Sequence, residues 1–331
     1  MDAGAFIESY YLTRMRKTNI VSQCNTLRPQ IYFSFLETII MTISKSIFTS
    51  LAAVFLFFAA LSQPANASEF KFTAIPDQDT ARLQQRFGKI ADYLTNSLGF
   101  KVTYVPVKSY AASVQAFKNN EVQMAWFGGL SGVQARLAVP GSVAIAQGVE
   151  DEHFISYIIA HSSTGIHANQ KLSPEIAGKT FTFGSKGSTS GRLMPEYFIR
   201  EQFGKSPDQL FSRVGFSGDH SKTIALVQSG SYQLGAVNFK VWEKEMAAGK
   251  IDPEKISVIW KTPEYPDYNW TVRGDVDDVY GVGTIVNIQK ALIAIDDPEL
   301  LEAFPRKQFI KADNSMYAPI LKTGKAIGVF R

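Results

Sequence analysis

The chain has 331 residues, 45% of them apolar, 19% charged and 12% aromatic, with a formal charge of +4. It is too apolar to be disordered and long enough for about two domains. Its 34 basic and 30 acidic residues form no Lys/Arg cluster of the kind a nucleic-acid backbone needs, so no such partner is expected. The single cysteine, Cys24, permits neither an internal disulfide nor a cysteine metal cage.

Residues 41–67 (MTISKSIFTSLAAVFLFFAALSQPANA) read as a secretory signal peptide. Lys45 supplies the basic start, and Ala65-Asn66-Ala67 the small residues a signal peptidase needs. The apolar run 47–61 between them falls short of the roughly 20 residues of a membrane span. Cleavage after Ala67 is expected. Residues 1–40 read as a mis-started or disordered extension ahead of Met41; a genuine extension, or an uncleaved anchor built from 31–61, is the alternative. No cysteine follows the apolar run, which argues against a lipoprotein. Cleavage also removes Cys24, which suits an oxidising compartment.

Beyond the signal, strands and helices alternate. Strand 70–75 precedes a helix through about 98 that Asp79 or Thr80 can cap. Strand 101–107 leads to helix 109–118, and strand 122–127 to a glycine-broken helix 131–138. Strand 143–148 completes a first unit. Strand 154–160 is continuously apolar, and the polar loop after it leaves that unit. The rhythm restarts with strands 180–183, 212–216, 234–237 and 256–260 and helices 189–203, 222–228 and 239–248. After Pro263-Glu264-Tyr265-Pro266 come an extended run at 268–272 and helices at 286–295, 298–304 and 316–327. Repeated strand–helix units predict largely parallel sheets flanked by helices. Two units joined by two extended crossings predict a bilobed α/β protein with a cleft. Lobe 1 is then 68–160 plus 263–331, and lobe 2 is 161–262.

Chemistry concentrates in three segments. Gly184-Ser185-Lys186-Gly187-Ser188-Thr189-Ser190-Gly191 lies between a strand and an amphipathic helix. Its glycines allow tight turns and close approach, while its helix start and hydroxyls offer donors to a tetrahedral oxyanion. It is neither a Walker loop nor a G-x-S-x-G elbow, since Thr189 stands between Gly187 and Gly191. An ordinary serine cap is the plainer reading. Gly215-Phe216-Ser217-Gly218-Asp219-His220 repeats the strand-to-helix pattern and places His220 as a donor or a capping partner. Tyr265-Pro266-Asp267-Tyr268-Asn269-Trp270 sets a carboxylate in the second crossing. The Asp77-Gln78-Asp79 pair reads as a cap rather than a metal site. Asp275, Asp277 and Asp278 lack the glycine and glutamate of a calcium loop. Residue order alone leaves a Ser190–His220–Asp267 triad open.

The export signal, Trp126-Phe127-Gly128, the 184–191 loop, Gly218-Asp219-His220 and Val258-Ile259-Trp260-Lys261-Thr262-Pro263 occur in this order. Together they resemble the phosphate/phosphite/phosphonate substrate-binding proteins of ABC transporters, over 70–310. The resemblance implies a type II periplasmic-binding-protein fold, α/β in class, with two lobes and two extended hinge crossings. It also implies capture of a small oxyanion, delivery to a membrane permease with its ATPase, a periplasmic location, a monomer, and no catalysis, cofactor or metal.

By the same resemblance, Ser188, Thr189 and Ser190 match the helix-start residues that hold the oxyanion. His220 matches a histidine donor, Tyr110 a tyrosine lining the cleft, and Asp267 a carboxylate in the second crossing. Phe127 stands where phosphonate-binding members carry a tyrosine. Val241 stands nearest to the glutamate that meets the ammonium of aminophosphonates, which favours an anion without a cationic tail. A carboxylate can accept the O–H of a phosphite, phosphonate or phosphate monoanion, whereas sulfate and selenate carry none near neutral pH. A selenate or sulfate binder of the same fold is the alternative, and a secreted phosphate or sulfate ester hydrolase is a further one.

Overall fold

The computed structural model describes residues 69–330; the expected signal peptide at 41–67 and the extension at 1–40 lie outside the described residues. Two mixed sheets organise the chain. The first has six strands in the order β11-β4-β10-β3-β1-β2 and the second five, in the order β7-β6-β8-β5-β9.

In the first sheet, β1 (Phe70–Ala74) runs parallel to β2 (Val102–Tyr104) and β3 (Met124–Phe127). Helix α1 (Thr80–Leu98) links β1 to β2. Asp79 caps it, accepting the Arg82 N–H at 3.1 Å, and Leu83, Phe87, Ile90 and Leu94 form its buried stripe. Helices α2 (Tyr110–Lys118) and α3 (Gly129–Ala138) follow β2 and β3. Then β4 (Val143–Gly148) leads into the first crossing. The second sheet begins with β5 (Ser156–His161) and continues with β6 (Thr180–Phe183), β7 (Arg213–Phe216), β8 (Leu234–Asn238) and β9 (Ile256–Lys261). Its helices are α4 (Met194–Phe203), the short α5 (Pro207–Leu210), α6 (His220–Gln228) and α7 (Phe239–Ala247). The second crossing returns to the first sheet as β10 (Asn269–Val272), followed by α8 (Val276–Tyr280), α9 (Thr284–Ile293), α10 (Pro298–Ala303), β11 (Phe309–Lys311) and α11 (Ala318–Ala326).

The expectation of largely parallel sheets needs correction. Each sheet receives an antiparallel strand from the crossing that enters it: β10 lies between β3 and β4, and β5 between β8 and β9. The segment expected to close lobe 1 at residue 160 is therefore a central strand of the second sheet from Ser156 onward. Further differences are local. β2 ends early, ahead of Pro106, because proline cannot continue a ladder. β11 spans three residues, too few to show a period. The helix expected at 189–203 begins as a π-turn, Thr189–Leu193.

The two crossings run side by side. Phe154 and Tyr265 exchange both backbone hydrogen bonds at 2.9 Å, and the Asp267 N–H donates to the Asp151 carbonyl at 3.0 Å. Asp151 is fully buried and takes two bonds from Arg306, Nε at 2.8 Å and Nη2 at 2.7 Å. The Arg306 guanidinium also lies 5.5 Å from the Phe154 ring and 5.2 Å from that of Tyr268. The segment after α10 thus clamps both crossings. Removing one member of a buried ion pair leaves the other uncompensated. Asp151→Asn is therefore expected to lower the unfolding free energy by about 3 kcal/mol in urea titrations. An unchanged midpoint would mean that the clamp does not form in solution.

Candidate functional site

Four helix starts meet where the two sheets face each other. In the first lobe these are the starts of α2, at Tyr110, and α3, at Gly129; in the second they are the π-turn at Thr189 and α6, at His220. All four follow the carboxyl ends of parallel strands, where open α/β sheets place their ligand crevices. The second crossing adds Asp267 and Tyr268, and the loop after β1 adds Asp77.

On the second-lobe side, Ser188 caps the π-turn, its Oγ accepting the Gly191 N–H at 2.9 Å. The amides of Thr189 and Ser190, opening the turn, have no acceptor within it. Gly218, at φ 96°, makes the left-handed turn that aims α6 at the cleft. Asp219 caps α6 through the Lys222 N–H at 2.8 Å. The His220 ring is fully buried and packs on the glycines: a Cβ on Gly191 would stand 3.0 Å from its Cε1. Its Nδ1 accepts the Asn238 N–H at 3.3 Å. The proton of the neutral ring therefore sits on Nε2, a buried atom with no hydrogen-bond partner.

The first-lobe side closes against this surface. Gly129 N–H donates to Asp267 Oδ1 at 2.8 Å and Leu130 N–H to Thr189 Oγ1 at 2.9 Å. The Thr189 hydroxyl also acts on the Asp267 carboxyl, lowering its pKa, and Ser188 lowers that of the Tyr110 hydroxyl. A Cβ on Gly187 would lie 3.0 Å from that of Tyr110, so the loop glycine permits the two lobes to touch. The Asp77 carbonyl accepts the His220 N–H at 3.2 Å. Asn238 Nδ2 donates to the Tyr268 hydroxyl at 2.9 Å, which donates to Asp77 Oδ2 at 3.1 Å. Asp77 Oδ1 and Asp267 Oδ2 are buried without hydrogen-bond partners, like His220 Nε2.

The electrostatics follow from burial. It pushes the Asp267 carboxyl up to about 7, against the pull of the Thr189 hydroxyl and the Gly129 amide. It lowers the His220 pKa below its ordinary 6.5, although Asp77 and Asp219 act the other way. Burial, reinforced by Asp77 and Asp267, holds the Tyr110 hydroxyl well above 10. Near pH 7 His220 and Tyr110 are thus neutral donors, and Asp267 shares its proton with solvent or ligand. Among the described residues no group of three or more His, Cys, Asp or Glu could hold a metal ion.

Residues 72–317 match the family model described as the ABC transporter, phosphonate, periplasmic substrate-binding protein. The chain belongs to this family. It is 36% identical to the probable ABC transporter phosphite binding protein PhnD1 of Prochlorococcus marinus, over 83% of this chain and 96% of that one. A solved structure of that protein in complex with methylphosphonate superposes with a TM-score of 0.75, covering 80% of this chain and all of the other. The phosphonates-binding periplasmic protein of Escherichia coli is 26% identical over 67% of this chain and 68% of its own length. The two-lobed α/β fold is that of periplasmic binding proteins, and the family serves ABC transporters from the periplasm by binding solutes rather than by catalysis.

Within this family member, five of the seven residues expected at the site converge: Tyr110, Ser188, Thr189, His220 and Asp267. Ser190 contributes its opening amide, while its carbonyl accepts the Ser156 hydroxyl at 2.7 Å. Phe127 is fully buried and meets Phe117 edge-on at 5.7 Å in the first-lobe core. Val241 is buried and carries no acid toward the cleft. No triad forms among the described residues: no hydrogen bond joins Ser190 to His220 or His220 to Asp267, and His220 Nδ1 and Asp267 Oδ1 bond other partners. Sequence reasoning missed the Gly129 and Leu130 amides, since it began α3 at Ser131. Ser131 was in fact the signal for an earlier start: its Oγ accepts the Gly128 N–H at 3.1 Å. Asp77 was missed because the capping role belongs to Asp79 alone.

The folded protein holds the Asp267 proton more tightly than an unfolded chain does, whose carboxyl titrates near 3.8. Stability is therefore lost as pH rises from about 4 through 7. Asp267→Asn, which keeps the acceptor for Gly129, is expected to raise the ligand-free melting temperature by several degrees at pH 8 and hardly at pH 4. Equal shifts at both pH values would show that Asp267 is not buried as a charge.

Proposed function

We propose that this protein captures a small tetrahedral phosphorus oxyanion, phosphite, phosphonate or phosphate, between its lobes and hands it to the permease of an ABC importer. Export by the signal peptide 41–67, with cleavage after Ala67, and action as a monomer belong to the same reading. The observation that carries it is the buried His220 Nε2–H, left without a hydrogen-bond partner beside the glycines of the 184–191 loop. Its relative PhnD1 supports it, being a probable phosphite binding protein that has been solved with methylphosphonate.

The anion meets amides and hydroxyls of the second lobe, and closure adds Tyr110 and Asp267, which the Gly129 amide holds in place. The bound state is then the closed state that a permease can recognise. Hydrogen bonds to a charged group contribute about 1.5–3 kcal/mol each. Thr189→Val removes a hydroxyl at constant shape. It is expected to weaken methylphosphonate binding by about ten- to a hundredfold in calorimetry. An unchanged affinity would remove Thr189 from the site.

Asp267 sets the choice among oxyanions. A phosphoryl group gives up its last proton near pH 6 to 7, the range about which Asp267 titrates, so one proton serves both partners in the complex. Methylphosphonate affinity should therefore peak near pH 7 and fall on either side. Sulfate and selenate bring no proton and need neutral Asp267, so their weaker binding should be flat below pH 7 and fall above it. Titrations between pH 6 and 8.5 check this. A selenate or sulfate affinity exceeding those of phosphite and methylphosphonate at pH 8 would overturn the phosphorus assignment.

A further inference from the structure

Four hydrogen bonds close a ring between the lobes. The Asp77 carbonyl, in the loop after β1, accepts the His220 N–H at 3.2 Å. His220 Nδ1 accepts the Asn238 N–H at 3.3 Å. Asn238 Nδ2 donates to the Tyr268 hydroxyl at 2.9 Å, and that hydroxyl returns to Asp77 Oδ2 at 3.1 Å. All four residues are buried. Asp77 belongs to the first lobe, His220 and Asn238 to the second, and Tyr268 to the second crossing. The His220 N–H opens α6 and has no acceptor within its own helix, so the opposite lobe supplies one.

Both side chains that complete the ring are fixed from outside it. Asn238 Oδ1 caps α7, accepting the Lys240 N–H at 2.7 Å and the Val241 N–H at 3.3 Å, which leaves Nδ2 for the crossing. The Tyr268 ring stacks on Trp126 at 5.5 Å and meets Phe154 at 5.4 Å. Separating the lobes breaks the His220–Asp77 and Asn238–Tyr268 bonds together and gives their atoms to water. Loss of the Tyr268 hydroxyl therefore costs the closed state alone, where Asn238 Nδ2 and Asp77 Oδ2 would stay buried and unpaired. We propose, resting on the oxyanion reading above, that Tyr268 and Asn238 are positioning residues for anion capture. The ring they complete with Asp77 and His220 holds the lobes closed and sets how long the anion is retained, through closure rather than through contact with it.

The test is Tyr268→Phe, which keeps the packed ring and removes the hydroxyl. In stopped-flow measurements on the purified protein, methylphosphonate should dissociate about tenfold faster from the variant, with association within about twofold of the wild type. Amide exchange without ligand reads the same ring: the His220 N–H should exchange about tenfold faster in the variant. Tyr93→Phe is the control, since the Tyr93 hydroxyl bonds the Ala291 carbonyl at 2.7 Å within the first lobe, and it should move neither readout beyond about twofold. Dissociation within twofold of the wild type overturns the proposal, as does slower association with unchanged dissociation. If Tyr268→Phe does not fold, the wild type decides. A His220 amide that methylphosphonate protects further supports the ring, and one that exchanges only with global unfolding, with or without methylphosphonate, overturns it. If methylphosphonate does not bind the wild type, the oxyanion reading fails, and ligand-free exchange at His220 in the variant still decides whether the ring holds the lobes.

Discussion

A buried anion site without a cationic side chain has to be built from dipoles, and the rest of this structure is arranged to deliver them. The starts of α2, α3, the π-turn and α6 come together between the lobes, and a helix start carries the equivalent of about half a positive charge. The α3 amides spend theirs on Asp267 and Thr189, while those opening the π-turn have no acceptor within it. Arg86, a buried guanidinium, comes no nearer to the Asp77 carboxyl than 3.9 Å. Neutral donors of this kind are directional, so they can discriminate a tetrahedral oxyanion by geometry where a lysine would act as a point charge. The same arrangement explains why Asp267 cannot remain a free carboxylate. With no cation in contact, its charge is stabilised by the Thr189 hydroxyl, the Gly129 amide and, less, the Arg306 charge, and burial outweighs them.

The position of Asp267 follows from where β10 is anchored. Trp270 is fully buried and packs against Trp126 at 5.3 Å, Phe72 at 5.6 Å and Phe304 at 6.0 Å. That aromatic core fixes β10 between β3 and β4, with Asn269 opposite Phe127. Two residues earlier on β10 and two later on β3, the register brings Asp267 against Gly129. The second crossing thus has its chain direction set by the first-lobe core, while the Tyr268 hydroxyl reaches Asn238 of the second lobe. Arg306, clamping Asp151 beneath it, keeps the pivot close to the residue that titrates.

Much of this was legible in the sequence, for identifiable reasons. Alternating strands and helices were visible because their apolar periods are strong, as in α1 with Leu83, Phe87, Ile90 and Leu94. Helix starts were visible through Ser188, Asp219 and their glycines. What the sequence could not show was partnership at a distance. Nothing local marks β5 and β10 as antiparallel insertions, since a fully buried strand reads the same in either direction. Nor does Ser190 differ from Thr189 in type, although only Thr189 turns its hydroxyl to the opposite lobe. The roles of Gly184 and Gly191 were also misread in part. Neither adopts a positive φ, and what they leave room for is the His220 ring rather than a sharp turn.

That ring shows how the site restricts titration to one group. The Asn238 amide occupies Nδ1, so the imidazole can be neutral only with its proton on Nε2, directed at the cleft. Protonation would add a second N–H where the Asn238 amide already points a hydrogen, and burial disfavours the imidazolium further. Tyr110 is held as a neutral donor by the same desolvation. Of the donors and acceptors assembled at the cleft, Asp267 is then the group whose charge changes near neutral pH. A ligand that brings a single exchangeable proton completes the set, and one that brings none must rely on the protein for it.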